Sequence, residues 1–153
     1  MNTWVRPASL GVLDGATTQL AMLAFSLGAV PDHTLILGLA GWVAGAMSMS
    51  VNEYVSVADQ NRAEGTTYSP LVAALASLVA FSVGAALPLL PLTAGLSTGW
   101  ALATGLVCLF GAGSVLARFT QRHWAWAGLR QALVGALGCL PVLVLGYVIG
   151  VPV

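Results

Sequence analysis

The sequence predicts an all-α integral membrane protein with five transmembrane helices, the amino terminus cytoplasmic and the carboxyl terminus outside. Three observations carry that prediction. Of the 153 residues, 58% are hydrophobic and only 7% are charged, where an ordinary soluble domain has about a quarter charged. The apolar residues fall into five runs, each close to the roughly 20 residues that a helix needs to cross a bilayer core of about 30 Å. The arginines gather at alternate breaks between those runs, as they do on the cytoplasmic side of membrane proteins. Five arginines, five acids and no lysine cannot clothe a water-facing domain of this length. A net charge of zero also leaves no basic surface for nucleic acid.

The runs place spans near 8–30, 34–58, 70–90, 97–118 and 128–150, within one transmembrane domain covering 1–153. The first run follows Arg6, outlasts the apolar core of a signal peptide and contains Asp14, so it is expected to be a retained helix. It breaks at Ala29-Val-Pro-Asp-His33, a turn signal. The second run gives way to polar residues over 59–67. The third opens after Ser69 and closes at Pro88-Leu-Leu-Pro91, and the fourth ends in the stretch from Arg118 to Trp126. No break is long enough to hold a domain. With five crossings, Arg6, Arg62, Arg118, Arg122 and Arg130 all fall on one side, and the other side carries only Asp32 and His33. Trp4, Trp100, Trp124 and Trp126 sit near span ends, where indole rings anchor at the headgroup level. Cys108 and Cys139 lie in apolar runs without metal-ligand spacing and read as small buried hydrophobes. Arginine without lysine suggests a GC-rich bacterial source and an inner (plasma) membrane.

Two acids, Asp14 and Glu53, lie well inside spans, where a charge at the helix centre costs about 2.5–3.5 kcal/mol on the insertion scale. Asp14 is eight residues past Arg6, about 12 Å along a helix axis, and Glu53 is six residues before Asp59, about 9 Å from the same membrane face. Met49 stands one turn deeper, on the same helix face as Glu53. The first two spans are antiparallel, so Asp14 is level with Met49 and Glu53. Two carboxylates and a thioether make a site for a divalent cation, and the soft sulfur tilts it toward transition metals over magnesium or calcium. Each residue has a plainer alternative: Asp14 could cap the first helix, Glu53 could snorkel to water and Met49 could fill a gap. Gly41-Trp-Val-Ala-Gly45 is a G-x-x-x-G, which permits close helix approach, as at a subunit interface.

Three stretches together resemble the vacuolar iron transporter family. They are Asp14-Gly15, the run Ala44-Gly-Ala-Met-Ser-Met-Ser-Val-Asn-Glu-Tyr-Val-Ser-Val-Ala-Asp-Gln60, and the third span from Ser69 to Pro91. The second is the most specific, through Ser48-Met49, Glu53-Tyr54 and Ser56-Val57. The resemblance implies a five-helix fold and a homodimer with the metal path at the subunit interface. It also implies exchange of ferrous iron or manganese for protons, with Asp14 and Met49 facing the path and Glu53 matching the glutamate of the Gly-Glu-Tyr motif of many bacterial members. Two departures accompany it. The cytoplasmic metal-binding insert of many members is reduced here to residues 59–67, which makes the chain a compact, bacterial-type member. Gly41 stands where many relatives carry an acid or amide, and Asn52 replaces the usual glycine before the glutamate.

These readings converge on a secondary active transporter, not an enzyme, that exports Fe(II) or Mn(II) from the cytoplasm against protons and holds no permanent cofactor. When the cation leaves, Asp14 and Glu53 can take protons, because desolvation and a neighbouring like charge favour the neutral carboxyl. An alternative class is a non-transporting membrane subunit or assembly factor that packs through its glycine faces. An intramembrane enzyme is disfavoured, since His33 and His123 fall in breaks on opposite sides and neither can serve a buried nucleophile. His33 beside Asp32 reads as a solvated turn residue or an exit-side ligand.

Overall fold

In a bilayer core the backbone has no water to bond, so each apolar run must satisfy its own N–H and C=O groups by closing into a helix. The computed structural model describes residues 4–150, and among them five α-helices follow one another. These are α1 (Val5–Ala29), α2 (Thr34–Glu64), α3 (Pro70–Thr93), α4 (Thr98–Thr120) and α5 (Trp124–Gly150), with a 3₁₀ turn at Pro31–His33 between α1 and α2. No strand occurs among the described residues, and all 5 helices are long and apolar enough to cross a membrane.

Several boundaries differ from the sequence expectation. Helix α2 runs on to Glu64 instead of stopping at 58, because Gln60, Arg62, Ala63 and Glu64 are good helix formers that carry the helix on through Asp59 and Asn61. It ends where Gly65 takes the left-handed conformation at φ 66°. The Pro88-Leu-Leu-Pro91 segment is not a break: α3 passes through both prolines to Thr93. Prolines are tolerated inside membrane helices because neighbouring groups take up the freed backbone bonds. Helix α1 starts at Val5, since Pro7 falls in its first turn and needs no N–H bond there, and α5 starts at Trp124.

Helix α1 is central and packs most extensively on α3 and α5, with α2 and α4 also against it. Lipid tails are as apolar as leucine, so these helices associate through close van der Waals packing, for which small residues are required. A Cβ on Gly11 would lie 2.8 Å from the Ser77 carbonyl oxygen, and Cβ atoms on Gly15 and Gly84 would run into the Phe81 and Val12 carbonyls. At the other end of α1, Gly28 abuts the Gly146-Tyr147 backbone. These contacts run α1, α3 and α5 in the same direction. The Ser50 hydroxyl donates to the Ala74 carbonyl at 3.2 Å while Gly45 faces Phe81, so α2 runs opposite to α3.

The buried side chains form three clusters around α1 and α3: Ala16, Leu20, Ala24, Leu109 and Cys139; Leu23, Leu89 and Ala101; and Ala46, Phe81 and Ala85. Both cysteines are free thiols, with Cys108 packed beside the first cluster, as their apolar setting suggests. Trp4, Trp100, Trp124 and Trp126 are all exposed and stand at helix ends.

The glycine pair of α2 is directed otherwise than expected. A Cβ on Gly41 would meet the Met22 side chain at 3.0 Å and one on Gly45 would strike the Phe81 ring, so both glycines pack inside the protomer. Their smallness serves α2 against α1 and α3. The Gly41→Leu change is therefore expected to cost the protomer itself about 1–3 kcal/mol by overpacking, read as a lower melting temperature in detergent. An unchanged melting temperature together with weaker self-association would return this face to a subunit interface.

Candidate functional site

Asp14 lies more than two turns inside α1, whose N-cap is Trp4, so its carboxylate does not cap that helix. The close α1–α3 seam at Gly11, Gly15 and Gly84 turns the neighbouring face of α1, with Asp14 and Thr18, toward α2. Helix α2 presents Ser48, Met49, Asn52, Glu53 and Ser56 there, and Phe81 of α3 forms the floor beside Gly45. Together these residues line one cavity of about 380 Å³. All three residues singled out from the sequence, Asp14, Met49 and Glu53, are in it. His33 and Asp32 are elsewhere, exposed in the turn between α1 and α2.

The donor set is unusual for a membrane interior. Asp14 is exposed in the single chain, and Met49 and Glu53 are half-buried. Among the described residues, neither carboxylate has a hydrogen bond or an ion pair; the one salt bridge joins Arg62 to Asp59 at 3.4 Å, outside the span. Two unengaged carboxylates, a thioether and the oxygens of Thr18, Ser48, Asn52 and Ser56 offer a cation both charge and exchangeable neutral ligands. No cluster of three or more His, Cys, Asp or Glu residues placed to hold a metal ion occurs among the described residues, so any ligand set here draws on the thioether and neutral oxygens as well as the two carboxylates.

The neutral oxygens are what the sequence reasoning missed. Their signal was the four-residue spacing, Asp14 to Thr18 on α1 and Ser48, Asn52 and Ser56 on α2, which puts each set on one helix face. Below the cavity, Gln19 is fully buried and donates from Nε2 to the Gly38 carbonyl at 2.8 Å, which ties α1 to α2.

The model of the VIT family matches residues 5–67 and 61–147, nearly the whole chain. The chain belongs to the VIT family. A rice protein (Oryza sativa subsp. japonica), "Vacuolar iron transporter homolog 2", is 39% identical over 127 residues, covering 69% of this chain and 66% of its own length. Its "Vacuolar iron transporter homolog 1" is 38% identical over 127 residues, covering 69% of this chain and 53% of that protein. The Arabidopsis thaliana "Vacuolar iron transporter homolog 2.1" is 36% identical over 116 residues, 57% of this chain and 52% of its own. The chain thus spans between about half and two thirds of the curated relatives it matches.

In this VIT-family chain, α2 and α3 are joined by residues 65–69 alone, with no inserted helical domain between them. The turn is built on Asn61. Its Nδ2 donates to the Tyr68 carbonyl at 2.7 Å, and its Oδ1 accepts from the Tyr68 N–H at 3.0 Å and the Thr66 hydroxyl at 2.8 Å. Ser69 then caps α3 by accepting from the Val72 N–H. The chain is thus a VIT-family protein with five helices able to cross a membrane, and the cavity between α1 and α2 holds two carboxylates, Asp14 and Glu53.

Proposed function

We propose that this chain is a secondary active exporter of divalent transition metal, Fe(II) or Mn(II), that works as a homodimer and returns protons for each cation. The observation that carries the reading is the meeting of Asp14, Met49 and Glu53 in one cavity, with both carboxylates unengaged. A cation entering from water needs negative charge to offset its lost hydration, and the two carboxylates supply it. When the cation departs, the same groups take protons, because leaving two anions in a low-dielectric cleft is costly. Metal and proton therefore compete for one pair of groups, and no separate relay is required.

The homodimer is supported by what the single chain leaves open. Asp14, Ser48, Asn52 and Ser56 are exposed within the spans on one side of α1 and α2, Asp14 deepest among the charged groups. Facing lipid, a carboxylate there costs about 2.5–3.5 kcal/mol. A second copy placed on this face removes that cost and completes the ligand shell. The names of the curated relatives support iron as cargo, and manganese rests on the mixed oxygen and sulfur donors. Arg6, Arg62, Arg118, Arg122 and Arg130 mark the cytoplasmic side, and export is proposed as movement of the cation away from it. Those relatives are plant proteins named for the vacuole, so nothing in them points to a bacterial inner membrane.

Uptake by proteoliposomes tests the cargo directly, with iron, manganese, cobalt, zinc and calcium compared in parallel. Iron and manganese are expected to lead, and calcium to trail. Met49→Leu keeps the side-chain volume and deletes the sulfur, so it is expected to narrow the margin of iron and manganese over calcium by about tenfold while the protein stays folded. Equal selectivity in parent and variant would remove Met49 from the ligand set.

A further inference from the structure

Three of the five arginines gather around the α4–α5 turn, and neither the fold nor the metal path uses them. Arg118 and Arg122 line a cavity of about 420 Å³ with His123 and Trp124. A second cavity of about 420 Å³ shares Arg122, adds Arg130 and Gln131, and reaches Leu13 of α1. No acidic residue lines either cavity, and none occupies the first turn of α5. None of the three guanidinium groups has a hydrogen bond or an ion pair among the described residues, whereas Arg62 is paired with Asp59.

The turn that holds them is tight. Gln121 takes the left-handed conformation at φ 53°, and the Arg122 N–H bonds to the Ala117 carbonyl at 3.3 Å, which folds the chain back directly into α5. The ring of His123 stacks on Trp124, which meets Phe110 edge to face at 6.4 Å between centroids. Exposed Trp124 and Trp126 set this turn at the headgroup level of the bilayer. The cavities thus open where phospholipid phosphates lie, and they present three unengaged cations and donors with fork geometry suited to phosphate.

We propose that the α4–α5 turn is a binding site for the headgroup of an anionic phospholipid, with its phosphate between Arg118 and Arg122 and a second anionic oxygen reaching Arg130. Scattered arginines suffice to orient a membrane protein. They do not require two adjoining cavities that share a guanidinium and exclude acids. Because the second cavity reaches α1 at Leu13, beside Asp14 in sequence, a bound headgroup braces the helix that carries the metal-site aspartate.

The test uses the purified full chain, delipidated in neutral detergent and titrated with phosphatidylglycerol, phosphatidylcholine or inorganic phosphate. Retained lipid is read by native mass spectrometry and the melting temperature is followed in parallel. Phosphatidylglycerol is expected to bind and to raise the melting temperature, with phosphatidylcholine at least about tenfold weaker. Arg118→Gln with Arg122→Gln is expected to lose that preference, and Arg62→Gln to keep it. Equal binding of the two lipids by the parent chain would overturn the proposal without any variant having to fold. So would a folded double variant that keeps the preference, or stabilisation by inorganic phosphate equal to that by the lipid.

Discussion

The Asp14→Asn protein, reconstituted in liposomes, is expected to fold and to carry neither iron nor manganese at more than a few hundredths of the parent rate. The reasoning is electrostatic. Asparagine keeps the shape and one carbonyl oxygen but deletes the charge that offsets the cation's lost hydration, and it deletes the group that titrates. Removing one ligand charge from a site with two carboxylates per chain leaves a cation facing the cost that the bilayer imposes on any unpaired charge. Folding should survive, because the Asp14 side chain makes no hydrogen bond or ion pair among the described residues and does not cap α1. Glu53→Gln is expected to go the same way with a smaller loss, since Glu53 is nearer the polar end of α2, where water can share the charge. Parent-rate transport by Asp14→Asn, with circular dichroism and melting unchanged, would make the carboxylate structural.

The second large effect is expected on stability. Gly84→Leu should leave no folded protein in detergent, because any Cβ at Gly84 collides with the Val12 carbonyl and lies 3.1 Å from the Ala16 amide nitrogen, so backbone has to move. The Gly84→Ala change adds only a methyl group and is expected to cost about 1–3 kcal/mol, a drop of several degrees in melting temperature. Gly15 faces Phe81 across the same seam, so forcing the helices apart would also carry Asp14 away from Glu53. Metal flux is then expected to fall along with stability in Gly84→Ala. A Gly84→Leu protein with parent melting behaviour would mean that α1 and α3 do not pack through these backbones.

The parts of this molecule that were legible in the sequence are those governed by the bilayer. Five spans follow from length and hydropathy, and the level match of Asp14, Met49 and Glu53 follows from helix rise once α1 and α2 are antiparallel. Helix ends were less legible, because leaving the membrane and ending a helix are separate events: residues 59–64 are polar and still helical, and Pro88 and Pro91 are helical inside the span. Neighbour choice was not legible at all. Gly41 and Gly45 have the spacing of a subunit contact yet face Met22 and Phe81, while Gly11 and Gly15 share that spacing and bring the α1 backbone against that of α3. Spacing identifies a face that can be approached closely, and only the tertiary structure says by which helix.

The most direct test of metal and proton sharing one pair of carboxylates is a two-channel flux experiment on the parent protein. Proteoliposomes loaded with a pH-sensitive dye and a metal-sensitive dye are given external Mn(II), with no pH gradient imposed at the start. The account predicts that Mn(II) entry is accompanied by alkalinisation of the lumen as protons leave, and that an imposed outward proton gradient accelerates the metal. Mn(II) entry at a rate indifferent to the gradient, with no change in luminal pH, would contradict it.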